Sequence, residues 1–120
     1  MASLGFLKNF KKGLEKIEGV NVGISAPNFW YSTGNYALNR NLSGSFFRGI
    51  PEGRITAFVG PSGSGKSFLS SNILKSAQDA GAHIVVMDSE NAIDLEFLGK
   101  LGVKTDEEHL TYLQDRKSVV

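Results

Sequence analysis

The pattern of apolar positions is clearest in the second half of the chain. Ile55 to Val59 (ITAFV) is a continuous apolar run, which predicts a strand buried on both faces. A glycine-rich turn at 60–65 follows. A helix is then predicted from Lys66 to about Ala80, carrying Phe68, Leu69, Ile73, Leu74 and Ala77 and ended by Gly81. His83 to Met87 (HIVVM) predicts a second buried strand, closed by Asp88. Strand, helix and strand within about 30 residues form a βαβ unit, whose crossover makes its two strands parallel. Leu95–Leu101 predicts a short helix with Asp94 in its first turn, and Leu110–Leu113 opens a further strand.

Upstream, Leu7, Phe10, Leu14 and Ile17 recur at spacings of three and four, which predicts an amphipathic helix over residues 4–18. Lys8, Lys11, Lys12 and Lys16 occupy its opposite face, and Gly19 is the expected stop. Because the stripe is short and includes Glu15 and Glu18, it is read as packing on protein rather than on a membrane. Residues 19–53 are rich in Asn, Ser and Gly. They read as loops around one helix near Asn35–Leu42, with turns marked by Gly44, Gly49, Pro51 and Gly53. The aromatic run Phe29, Trp30, Tyr31 is expected in the core or at a subunit contact.

Composition narrows this only slightly. The 120 residues, 41% of them hydrophobic, suit one ordinary core. The absence of cysteine excludes a disulfide framework and a thiolate metal site. No run approaches the roughly 18 apolar residues of a membrane span. Leu4–Phe10 is too short and too interrupted for a signal-peptide core, so the expectation is a cytoplasmic protein without a membrane partner. Net charge is +1, but residues 1–54 hold seven Lys/Arg against three Glu, and residues 55–120 hold six against nine Asp/Glu. This asymmetry either steers an acidic partner towards the N-terminal part or reflects a solvated basic helix.

The turn between the first predicted strand and helix reads Gly60, Pro61, Ser62, Gly63, Ser64, Gly65, Lys66, Ser67, matching G-x-x-x-x-G-K-[ST]. Glycines permit positive φ and let backbone N–H groups converge on oxygen atoms. The helix beginning at Lys66 turns its unpaired N–H groups and positive dipole end towards an anion. Lys66 can reach the β- and γ-phosphates of ATP, and the Ser67 hydroxyl can ligate Mg²⁺. The match lies between a strand and a helix, as a phosphate loop requires. The second strand ends in Asp88, Ser89 and Glu90, and functional groups of open α/β sheets gather at such ends. One of the two carboxylates could hold Mg²⁺ through water and the other orient or deprotonate an attacking water. His83, at the other end of that strand, is read as a plain edge residue.

Three segments, STGNYALNRNLSGSFFRGIPEG (32–53), GRITAFVGPSGSGKS (53–67) and VVMDSENAIDLEFLGKLGV (85–103), together resemble the RecA recombinases, in particular a phage UvsX-type branch. The resemblance covers roughly residues 30–115. It implies an α/β P-loop NTPase fold with a partial parallel sheet and flanking helices: an N-terminal helix and linker over 1–30 and a RecA-like ATPase core over 31–120. It implies that Glu90 activates the hydrolytic water, that Asp94 contacts adenine, and that Phe97, in place of the family's tyrosine, stacks on the base. Asn91 stands where bacterial members often carry histidine, and no role is assigned to it.

The resemblance further implies ATP and Mg²⁺ as cofactors, single-stranded DNA as a partner, and a homo-oligomeric filament in which the N-terminal helix packs on a neighbouring subunit. It places the protein in the cytoplasm of a bacterium or phage-infected cell. Family cores continue beyond the equivalent of Val120 to a magnesium-site aspartate and two DNA-gripping loops, so the chain is expected to be an N-terminal portion. Two other readings compete. A small-molecule kinase would need an arginine-rich lid, and residues 68–115 contain no arginine. A truncated, non-catalytic remnant would bind nucleotide weakly or not at all, since so few strands leave sheet edges uncovered.

Overall fold

The structure, a computed structural model, describes residues 3–115; residues 1–2 and 116–120, the outer ends of the two expected segments, lie outside them. It is a mixed α/β arrangement in the order α1 (Leu4–Glu15), β1 (Trp30–Tyr31), α2 (Tyr36–Ser43), β2 (Ile50–Pro51), α3 (Lys66–Asp79), β3 (Ile84–Asp88), α4 (Leu95–Lys100) and β4 (Leu110–Gln114). The strands form two small sheets, β1 antiparallel to β2 and β3 parallel to β4.

The parallel pair carries the core. Its register sets Ile84 beside Leu110, Val86 beside Tyr112 and Asp88 beside Gln114. Alternation along β3 turns Ile84, Val86 and Asp88 inward. Ile84, Val86 and Leu110 close on Ala77 of α3, with Leu74, Ala82, Ile93 and Tyr112 packed around them. Both helices flanking this core end on a glycine for a definable reason. After α3, Gly81 at φ 89° lets its own N–H bond Gln78 O at 2.9 Å and the Ala82 N–H bond Ala77 O at 3.0 Å. After α4, Gly102 at φ 87° repeats the pattern: Gly102 N–H to Gly99 O at 3.0 Å and Val103 N–H to Leu98 O at 3.1 Å. This is the Schellman closure, with its apolar contact supplied in α4 by Leu98 and Val103, 2% and 3% exposed. The buried Gln78 amide then ties α3 to the α4–β4 connection, accepting from Lys104 N–H and donating to Lys104 O, both at 2.8 Å.

Two expectations are corrected here. Residues 55–59 are not in a strand, and the apolar ends of the run stand in solvent, Ile55 101% and Val59 95% exposed. The parallel partner of β3 is therefore β4 and not the ITAFV run, with α4 in the crossover. A strand exists only where a second backbone lies in register to take its N–H and C=O groups, and among the described residues none lies beside 55–59. Nor is β3 covered on both faces. Val85 and Met87 are 53% and 78% exposed, because α3 covers one face and nothing among the described residues covers the other.

The segment 29–53 is held by a polar network rather than by apolar volume. Asn39 is fully buried; its Oδ1 accepts from Thr33 N at 2.9 Å and Thr33 Oγ1 at 2.7 Å, and its Nδ2 donates to Ser32 Oγ at 3.0 Å and Phe46 O at 2.9 Å. Gly49 touches this knot so closely that a Cβ would meet Asn39 Oδ1, Thr33 Cγ2 and Tyr31 O, each at 2.7 Å. Asn35 caps α2 by accepting from Leu38 N at 3.0 Å, and Gly44 ends it at φ 81°. Of the aromatic run, Phe29 and Tyr31 meet edge-on at 5.1 Å. Upstream, α1 buries no residue and ends at Glu15, a turn earlier than Gly19 suggests. Among the described residues its apolar stripe has no cover, and the Cα radius of gyration is 19.8 Å, against roughly 14 Å for a compact chain of this length.

Candidate nucleotide site

α3 begins at Lys66 with Gly65 as its N-terminal cap, at φ 92°, a conformation closed to most side chains. Gly63 is at φ 76°. At Gly60 a Cβ would meet Ser64 Oγ at 2.9 Å, so a larger residue there would turn that hydroxyl aside. The Ser64 N–H bonds Pro61 O at 3.3 Å, whereas those of Ser62, Gly63, Gly65, Lys66 and Ser67 have no acceptor among the described residues. Lys66 folds back over the loop and donates to Gly60 O at 2.6 Å and Pro61 O at 2.8 Å. Unpaired N–H groups at a helix start, with one ammonium held only by carbonyls, are a donor set suited to a polyanion.

A cleft of about 560 Å³ opens beside this loop. Lys66, Ser67, Ser70, Ser71 and Leu74 of α3 line it together with Phe58 and with Ala92, Ile93, Asp94, Phe97 and Leu98 from the β3–α4 turn and α4. The structure thus brings Lys66, Ser67, Asp94 and Phe97 around one space, the size of an ordinary small-molecule pocket. Asp94 caps α4, its Oδ1 accepting from Glu96 N at 2.9 Å, and Phe97 is 42% exposed at the rim. Gly60, Pro61, Ser64 and Gly65 border a second hollow on the other side of the loop, and Ser62 and Gly63 line neither.

The two carboxylates after β3 behave differently. Asp88 is 7% exposed and turned inward, taking Tyr112 O–H at 2.6 Å and Ile93 N–H at 2.9 Å on Oδ2, and Glu90 N–H at 3.1 Å on Oδ1. The Tyr112 hydroxyl, then the Ile93 N–H, hold its carboxyl below the usual range against the opposing effect of burial. The same bond, with burial, pushes the Tyr112 phenol up to about 12. An Asp88 so engaged organises the turn, and it does not line the cleft. Glu90 is exposed and does not line the cleft. Between them and the helix, Asn91 adopts φ 56°, donates from Nδ2 to Asp115 O at 3.2 Å, and has a buried Oδ1 with no partner among the described residues. Elsewhere, His83 bonds Glu108 O at 3.0 Å and Thr111 Oγ1 at 2.8 Å, stitching the edge of the sheet.

The profile of the RecA N-terminal domain matches residues 9–116. The chain belongs to the RecA family. Among its relatives, the protein RecA of Pseudomonas fluorescens strain Pf-5 is 42% identical over 76 residues, 63% of this chain and 21% of that protein. RecA of Pseudomonas tolaasii and of Pseudomonas syringae pv. syringae strain B728a are each 41% identical over the same length, with the same coverage. The chain spans about a fifth of the length of these curated relatives, 21% in each case. These bacterial matches support the family and give no support to a phage UvsX-type branch.

Within this RecA-family segment, the residues that sequence reasoning missed are the apolar walls. Phe58, Leu74, Ile93 and Leu98 line the cleft as ordinary members of helical and extended runs, and nothing in their spacing marks them as ligand-facing. Tyr112 was equally hidden, since its bond to Asp88 depends on the β3–β4 register. Among the described residues no helix is long and apolar enough to cross a membrane.

Proposed function

We propose that this chain is the ATP-binding N-terminal part of an ATP-dependent recombinase that acts on single-stranded DNA in homologous recombination and repair. The observation that carries this reading is the single cleft shared by Lys66, Ser67, Asp94 and Phe97. Two residues of the phosphate loop share this space with an aromatic ring and a carboxylate, the kinds of group that a nucleotide's phosphates and base call for. Membership of the RecA family supports the same reading, and a P-loop NTPase core is its structural counterpart. Residues 60–67 would hold the phosphates, with Lys66 leaving its carbonyl partners for them, and Ser67 would ligate Mg²⁺. Asp94 and Phe97 would hold the adenine, and Glu90 would orient water. Bound Mg²⁺ would supply charge neutralisation for the triphosphate.

In this reading residues 1–30 are a subunit-packing arm, residues 31–120 belong to the ATPase core, and the protein works as a filament in the cytoplasm. A placing in the UvsX-type branch would rest on the three quoted sequence segments alone. One observation favours binding without turnover in this chain by itself: among the described residues no strand pairs with 55–59, the run that leads into the loop, and Glu90 lies off the cleft. The expected result is slow hydrolysis or none. Robust turnover stimulated by single-stranded DNA and abolished by Glu90→Ala would overturn that.

The test of the site is equilibrium binding of a non-hydrolysable ATP analogue with Mg²⁺ to the wild type and to Lys66→Ala. The variant is expected to bind at least tenfold more weakly, since a charge-assisted contact is removed, on the order of 1.5–3 kcal/mol. Equal affinities would remove the assignment.

A further inference from the structure

Asp88 and Tyr112 do not line the cleft, yet they hold one of its walls. Ala92, Ile93 and Asp94 form that wall, and the Ile93 N–H is bonded to Asp88 Oδ2 at 2.9 Å. The same oxygen takes the Tyr112 hydroxyl at 2.6 Å from the neighbouring strand. The β3–β4 register makes this meeting possible. It seats Tyr112 beside Val86, on the face where Asp88 also points inward, two residues along β3. Asn91 fastens the same turn a second time, donating to Asp115 O just beyond β4 while its backbone sits at φ 56°. A non-glycine residue in that conformation persists only where its surroundings hold it there. The turn that carries the wall residues is therefore tied at Asp88 to Tyr112 of β4 and at Asn91 to Asp115 just beyond it.

We infer that Tyr112 is a positioning residue for the base-side wall of the nucleotide cleft, acting through Asp88 on Ile93 and the Asp94 that follows it. The inference rests on the nucleotide reading above. It has a selective consequence. Neither Asp88, Tyr112 nor Asn91 bonds any residue of the phosphate loop. Loosening the relay should weaken the grip on a base and leave the grip on phosphates intact. A residue that merely stabilised the fold would weaken both.

The experiment titrates the wild-type chain, Tyr112→Phe and Asp88→Asn with two probes, a non-hydrolysable ATP analogue and inorganic tripolyphosphate, each with Mg²⁺. Tyr112→Phe keeps the ring and removes only the hydroxyl. Asp88→Asn leaves one of the two turn N–H groups without an acceptor. Each variant is expected to lose roughly tenfold in affinity for the ATP analogue, the worth of one hydrogen bond to a charged group. Tripolyphosphate affinity should stay within about twofold of wild type, as expected for a distant site. Loss of both probes together, or of neither, overturns the inference. A wild-type chain that takes neither probe defeats the nucleotide reading and the inference with it.

Discussion

ITAFV at 55–59 and HIVVM at 83–87 are nearly interchangeable as sequences, both short, apolar and followed by candidate site residues. In the structure only one of them is a strand. Ile84 is 8% exposed and Ile55 is 101% exposed. The difference lies outside both segments. β3 has β4 at its side in parallel register and α3 across one face, whereas no backbone among the described residues pairs with 55–59. β1 and β2 make the same point from the other direction. They are two residues each, too short for any apolar pattern to mark them, yet they form a ladder because Trp30 and Tyr31 meet Pro51 and Ile50. A strand is a relation between segments, and apolar character only makes a segment available for it.

This contrast can be broken most directly by amide hydrogen exchange. Amides of 84–88 and 110–114 should be the slowest in the molecule, and those of 55–59 should exchange close to the rate of an unstructured peptide. Comparable protection in both runs would show that the ITAFV segment is paired after all. The same pair of positions can be compared by mutation. Ile84→Ala should cost about 2–5 kcal/mol in denaturant unfolding, and Ile55→Ala less than about 0.5 kcal/mol. Similar losses would place Ile55 in a core.

The polar knot of 29–53 supports the smallest ladder, so Asn39→Ala should cost about 1–3 kcal/mol by leaving Thr33 and the Phe46 carbonyl unpaired. A neutral substitution would show that the β1–β2 pair does not depend on it. The finest distinction concerns pH. Asp88 is depressed in the folded chain, so its contribution is present above the unfolded value of about 3.9 and is lost as pH falls through the lower folded value. Tyr112 is raised to about 12, so its contribution is full below the unfolded value of about 10 and is lost as pH rises from there towards the folded value. Tyr112→Phe should flatten the alkaline limb of a stability-versus-pH curve and blunt the acid one. An unchanged profile would mean that the bond does not persist in solution.

Much of the site could be read in advance because its chemistry is local. The loop 60–67 is continuous in sequence, Gly63 and Gly65 sit at positive φ, and the helix that follows starts at Lys66 as its pattern predicts. Asp94 and Phe97 were reached through family resemblance, and they stand in the same cleft as Lys66 and Ser67. Asp88 was read as a possible metal carboxylate because its position at a strand end allows that. Its burial, and its capture by Tyr112 and Ile93, depend on a register that no local pattern encodes.

By itself, the sequence determined the helices and, apart from the end of α1, where they stop, through apolar spacing, the caps Asn35 and Asp94, and the left-handed glycines Gly44, Gly81 and Gly102. It also determined the glycine turn that opens α3. All of these are settled by interactions within a few residues. Only the tertiary structure decided which apolar run became a strand, which face of β3 was covered, and what Asp88 was for. Those outcomes depend on hydrogen-bond and packing partners contributed from distant parts of the chain, and a segment cannot specify its partner by its own composition.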